Sequence, residues 1–505
     1  MKKKLAKFAV GLVCVVGIAL AGGAWYLHDL EEQIEGAKTP VVDRATFTRP
    51  AQPLVVRNVS VLSDDGDRMI PGRDVVISDG LIAEIRPTAE DGSYASTFDQ
   101  VDGSGLFLIP GLSDGHVHIG QRSNDLLVFL TNGVTHIREM SGQQATLDLR
   151  EETRDGALGP DMFVASHKVF SDTGPERIIG ELLHPRINAA TPEEARALVA
   201  EIAADGYDAV KISGSADMDA FRALAKSARE RNLRVVGHLQ RDGGLDGLWA
   251  SGQEELAHVE EIAKGLWDEY DALPEGDKPS AFAAYVDRRI DTVAARLASE
   301  DIAVTAAVWL LANVPEQKRD LAAALTEVET QYVDPAFYAG TSMHGGWAPG
   351  TNEYELPDDQ KNDPAALKDE LDFWREWNEA CRIILNALVE NDVTLMAGTD
   401  AGVPIAVPGF SMHNELQTLV AYGMTPSQAL GSATATSGEW LGERRGRIAP
   451  GYKADLVLLT ANPLEDIANT RKISAVIKDG SIYDRSLLDR MLEAVAAANG
   501  HGNGS

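Results

Sequence analysis

Eight short apolar runs separated by helix-period segments constrain this chain more than any other feature. They are Asp114-Gly115-His116-Val117-His118, Val134-Thr135-His136-Ile137-Arg138, Met162-Phe163-Val164-Ala165-Ser166, Ala209-Val210-Lys211-Ile212, Val235-Val236-Gly237-His238, Glu255-Leu256-Ala257-His258, Ile302-Ala303-Val304-Thr305 and Thr394-Leu395-Met396-Ala397-Gly398-Thr399-Asp400. Helix-period segments such as 192–204 and 217–231 lie between most of them. Repeated β-then-α units predict an α/β fold, a (β/α)8 TIM-type barrel over residues 109–442. Several runs finish in His, Lys or Asp, and a barrel's chemistry sits at the C-terminal ends of its strands.

The flanks read differently. Residues 51–108 and 443–485 carry strand patterns, among them Asp74-Val75-Val76-Ile77 before the turn Ser78-Asp79-Gly80, and Ala475-Val476-Ile477 before Asp479-Gly480. The two segments are expected to combine into one small composite β-sandwich. Residues 31–50 read as a polar tether, and 486–505 as a C-terminal helix with a disordered Gly- and Asn-rich tail. About 90 residues separate the last two barrel strands, which predicts an insertion over 310–390, a lid or an oligomer contact.

Lys2, Lys3, Lys4 and Lys7 precede an uncharged run from Phe8 to Leu27. At ~1.5 Å per residue this run covers about 30 Å, the thickness of a bilayer core. Leading positive charge keeps that end inside and predicts export of the remainder to the periplasm or cell envelope. Residues 1–30 are then either a membrane anchor or a signal peptide cleaved near Ala19-Leu20-Ala21. With 46 Lys+Arg against 77 Asp+Glu, the net charge of −31 repels phosphate backbones and argues against nucleic-acid binding. Cys14 and Cys381 are the only cysteines, which excludes a cysteine metal cluster.

On a strand, residues two apart face the same side, so His116 and His118 share one centre. Neutral imidazole is a frequent ligand of zinc and similar ions. A single His-x-His is weak evidence, but His238, His258 and Asp400 converge on the same mouth. Lys211 is unusual, because a free ammonium inside an apolar run is costly to bury.

These residues resemble the amidohydrolase superfamily, most closely its prolidase-like or imidazolonepropionase-like peptidase branch, over roughly residues 52–485. The resemblance is carried by Pro110-Gly111-Leu112 with His116-Val117-His118, by Val210-Lys211-Ile212, His238, His258 and Gly398-Thr399-Asp400-Ala401-Gly402. It continues through Gly423 to Leu430 and Gly446 to Leu456. It implies a binuclear site, most often zinc. His116, His118 and Asp400 would hold the more buried ion, and His238 and His258 the other. Lys211, carbamylated by carbon dioxide, would bridge them together with a hydroxide nucleophile. Asp400 would take the proton and pass it to the leaving amine.

Deaminases of this fold place Glu three residues after the fifth-strand His and lack the bridging lysine. Here position 241 is Arg and Lys211 is present, so deamination ranks below hydrolysis. Glu261 reads as an ordinary helix-start carboxylate. Related peptidases often carry Thr-Gly-Gly-His after strand three. This chain has Thr173-Gly174-Pro175-Glu176-Arg177, which puts transferred substrate contacts in doubt. Arg138, His167, Arg177 and His413 remain candidate substrate contacts. The competing readings are a surface salt bridge for Arg177 and a helix-terminus histidine for His413.

The expectation is a metal-dependent amidohydrolase that cleaves an amide C–N bond in a small substrate such as a dipeptide or N-acyl amino acid. A lactonase, a phosphotriesterase-like hydrolase or a toxin-degrading amidase on the same metals is the enzymatic alternative. A non-catalytic envelope binding protein would not need Asp400 as a proton shuttle. The family resemblance also suggests a homo-oligomer.

Overall fold

The computed structural model describes residues 22, 23, 26, 29, 36, 38–88, 94, 97–175, 177, 187–214, 217–339 and 354–501. The expected anchor or signal run at 8–27, the loop at 340–352 and the last four residues of the tail lie largely or wholly outside them. Among the described residues no helix is long and apolar enough to cross a membrane.

All eight central runs form parallel strands: β6 (Leu112–Val117), β7 (Val134–Glu139), β8 (Asp161–Val164), β11 (Ala209–Ile212), β12 (Arg234–Gly237), β13 (Glu255–Ala257), β14 (Ala303–Thr305) and β15 (Leu395–Met396). β6, β7 and β8 make one sheet, and β11 to β15 make another with two short extra strands. Single parallel bridges, Val117 to Ala401 and Ala165 to Ala209, link the two sheets. With helices between successive strands, the arrangement is TIM-barrel-like.

The helix Pro192–Asp205 shows how local sequence sets this geometry. Thr191 caps its start through the Glu194 amide at 3.2 Å, Pro192 fits the first turn, and Gly206 ends it with φ +85°. Its buried face is Ala195, Leu198, Val199 and Ile202, at helical spacing. That face packs on Val210 and Ile212 of β11. Each such side chain, fully buried, contributes about 1.5–3 kcal/mol. Because strand side chains alternate, Val210 and Ile212 facing the helix turn Lys211 inward.

The flanking segments share one eight-stranded sheet. β5 (Phe107–Pro110) pairs in parallel with β1 (Leu54–Leu62) and antiparallel with β16 (Leu456–Leu459). Backbone hydrogen bonds through β5 thus join the N- and C-terminal flanks. Within residues 31–50, the Val42 amide donates to Asn124 Oδ1 at 2.8 Å, and buried Arg44 donates to Leu158 O at 3.1 Å. Within the stretch 310–390, the long helix Pro364–Glu390 caps on Asp363 and packs against Phe282–Ser299.

Candidate metal centre

β6 delivers His116 and His118 side by side, their Nε2 atoms 3.3 Å apart. Asp400 reaches the same point from the loop after β15. Its Oδ1 lies 3.2 Å from His118 Nε2 and 3.5 Å from His116 Nε2, and its Oδ2 is 3.8 Å from His258 Nε2. Lys211 Nζ is 3.4 Å from His116 Nε2. The His238 ring lies 5.8 Å from that of His258, centroid to centroid. All six residues expected as ligands thus meet at one end of the strands.

Close backbone approach makes this possible. A side chain at Gly115 would meet the Ala397 carbonyl at 2.6 Å, so glycine lets β6 and β15 touch beside the site. Asp114, buried beneath, accepts from the Thr399 amide at 2.9 Å and the Thr399 hydroxyl at 2.6 Å. Burial pushes its pKa up to about 7. The Asp400 amide donates to the His116 carbonyl at 2.8 Å. Asp400 and His258 have φ of 56° and 87°, a left-handed region that costs a non-glycine residue about 1–3 kcal/mol and clusters at functional sites.

The electrostatics suit cation binding. Burial, with Lys211 nearby, holds His116 well below the usual histidine range, and burial lowers His258 as well. Burial also lowers His238 to about 3, against the pull of Glu261. These imidazoles are neutral and keep lone pairs for a metal. Burial alone would raise the Asp400 pKa, but His258 and His118 outweigh it and keep the carboxyl ionised. Burial likewise opposes the charge on His118, but Asp400 and Glu139 raise its pKa. Burial, then the charge of Lys168, lowers Lys211 to about 7. Among the described residues, the buried Asp400 Oδ1 has ring nitrogens close by but no well-aligned hydrogen-bond donor, as a metal-facing oxygen would. The donor set fits divalent ions.

Two supporting carboxylates escaped the sequence reading. Glu261 is no ordinary helix-start residue: it is buried and lies 3.1 Å from His238 Nδ1, and it also accepts from the Leu239 amide at 2.9 Å. Glu139 lies 3.6 Å from His118 Nδ1 and accepts from the Ile119 and Ser141 amides. Such outer partners fix ring orientation and tautomer. Glu139 does not stand out in the sequence from other acidic residues, and Glu261 reads there only as a helix-start carboxylate.

The four candidate substrate contacts are less central. Arg138 is fully buried, 3.6 Å from Glu255 and over the ring of Trp440, so it lies sealed in the interior and not at the mouth. His413 is buried 3.0 Å from the Thr470 hydroxyl, on the side of the composite sheet. Arg177 pairs with Glu194 at 3.2 Å, the surface salt bridge of the competing reading. His167 follows β8, half-buried, and Glu176 lies outside the described residues. A second carboxylate group, Asp161, Asp455 and Asp479, is already neutralised by Lys478, with Lys453 and Arg445 also on Asp161.

A profile described as the amidohydrolase family matches residues 107–483. An adenine deaminase of Listeria monocytogenes is 26% identical over 205 residues, which are 38% of this chain and 31% of that protein. Ochratoxinase of Aspergillus niger is 34% identical over 102 residues, 19% of this chain and 20% of that protein. The chain thus spans well under half the length of these curated relatives. Among solved structures, a putative prolidase from Bifidobacterium longum aligns with TM-score 0.61 and 22% identity, covering 88% of this chain and 100% of that one. Bottromycin amidohydrolase aligns with TM-score 0.69 and 22% identity, covering 91% and 93%. At these identities the structural likeness speaks for the fold.

Proposed function

This chain belongs to the amidohydrolase family, and from that premise we propose that it is a metal-dependent hydrolase cleaving an amide C–N bond in a small substrate, a dipeptide or N-acyl amino acid. The observation that carries this reading is the convergence of His116, His118, Lys211, His258 and Asp400 within hydrogen-bond to near-contact distance, from four different strands. His116, His118 and Asp400 would hold one divalent ion, His238 and His258 a second, with Lys211 between them. Such ions, zinc being the preferred candidate, would supply a lowered water pKa and a polarised carbonyl.

The chain's own residues do the rest. Ionised Asp400 accepts a proton from the attacking water and hands it to the departing amine nitrogen. Glu261 keeps His238 in a fixed tautomer, and the Glu139 charge sits beside the His118 ring. The buried Lys211 amine suits carbamylation: its nitrogen bonds to the carbon of carbon dioxide, one proton leaves, and a carboxylate-like anion results. That anion would relieve the cost of a cation beside bound metals. The fold reading goes with it, namely a closed eight-strand barrel and a composite sheet domain. The charged, apolar N-terminus supports an envelope location, membrane-held or released by cleavage.

The test is Asp400→Asn in the full chain, screened with wild type against dipeptides, N-acyl amino acids, lactones and phosphotriesters. Amide turnover that falls about a hundredfold or more in the folded variant supports the reading. Turnover confined to lactones or phosphotriesters would move the assignment to those substrates, and undiminished amide turnover would refute the role of Asp400.

A further inference from the structure

We propose that Lys168 anchors a carboxylate on the substrate, so that the scissile amide belongs to an acid-ended molecule. This inference rests on the amide-hydrolase reading and deepens it.

Lys168 stands between the end of β8 and β9 (Val169–Phe170). Val169 pairs in parallel with Ile212, and both belong to the apolar cluster beneath the outer helices. Lys168 directly precedes that strand, and with Val169 turned to the outer cluster, one extended step back faces the side to which Lys211 points. Its charge bears on Lys211, His238 and Asp400, three members of the ligand cluster from three strands. Lys168 is half-buried, and among the described residues no ion pair or hydrogen bond engages its ammonium.

Among the described residues, three other cations near the site already have partners. Arg138 is sealed against Glu255. Arg122 holds Asp125 at 3.0 Å and the His118 carbonyl. Arg177 pairs with Glu194. The protein as a whole carries −31, but in physiological salt charges beyond about 8 Å are largely screened. Among the described residues Lys168 is thus an ammonium at the mouth that no carboxylate holds, and it biases the local preference. It favours an anion, and a charge-assisted hydrogen bond to a carboxylate is the form that preference takes.

The experiment compares N-acyl amino acids with their matching carboxamides on the full chain, wild type and the variants Lys168→Gln and Lys168→Arg. Wild type should favour the free acid. In Lys168→Gln, kcat/KM for the acid should fall about tenfold to a hundredfold, chiefly through KM, while the carboxamide changes far less. Lys168→Arg should recover part of the preference. Equal losses on both substrates, with fewer bound metal ions, would overturn the proposal and assign Lys168 to holding the ligand cluster. No loss on either would also overturn it. If wild type cleaves neither compound, the amide-hydrolase reading fails separately. Thermal shift then reads the anchor directly: stabilisation by the acid over the carboxamide, lost in Lys168→Gln, supports it, and no such difference in wild type contradicts it.

Discussion

Glu261 Oε1 stands 3.1 Å from His238 Nδ1, which leaves Nε2 as that ring's remaining donor atom. The same carboxylate accepts from the Leu239 amide and is gripped by Lys264 at 2.8 Å. His238 is thereby fixed by its neighbour's neighbour as well as by its strand. Glu261→Gln should lower metal affinity about tenfold to a hundredfold while the fold persists. Titration with a competing chelator checks it, and unchanged affinity would reduce Glu261 to a helix-start residue.

Arg138 and Glu255 form a buried pair at 3.6 Å, both fully shielded from solvent. Arg138→Met would leave Glu255 uncompensated and cost about 3–5 kcal/mol. Denaturant unfolding should register that loss, and adding Glu255→Gln should return much of it. A raised KM at unchanged stability would instead restore Arg138 as a substrate contact.

Asp161 gathers Arg445 at 2.8 Å, Lys478 at 3.0 Å and Lys453, where β8 meets the composite sheet. Burial alone would raise its pKa, but Lys478 and Arg445 outweigh it and hold it below the usual carboxylate range. A carboxyl whose folded pKa is depressed stabilises the protein above its unfolded pKa of about 4 and loses that contribution as pH falls through the folded value. Asp161→Asn should therefore cost about 3–5 kcal/mol at pH 7, because Lys478 is left buried with less compensation. The difference from wild type should shrink below about pH 4. Unfolding curves at pH 7 and pH 3.5 test this, and a pH-independent difference would contradict it.

The convergence of the six residues was legible because each sits in or at the end of an apolar run, where a polar residue has no structural excuse. His116 and His118 add a period of two, and Lys211 adds a charge flanked by Val210 and Ile212. Glu139 and Glu261 were not legible. A carboxylate that serves a histidine differs from its neighbours only by burial: Glu261 is buried where adjacent Glu260 is partly open, and one residue of helix phase separates them. Arg138 and His413 misled for the opposite reason. Their sequence positions after strands suggest the mouth, but side-chain direction took one into the interior and the other towards the composite sheet. The composite sheet's edge order was also hidden, since pairing of β5 with both β1 and β16 is a long-range choice that strand patterns do not encode.

The most direct measurement is metal content and amide cleavage on one preparation of the full chain, grown with zinc and bicarbonate. Near two divalent ions per chain are expected, with amide hydrolysis that disappears on chelation and returns with metal. One ion or none, with hydrolysis undiminished by chelators, would contradict that expectation.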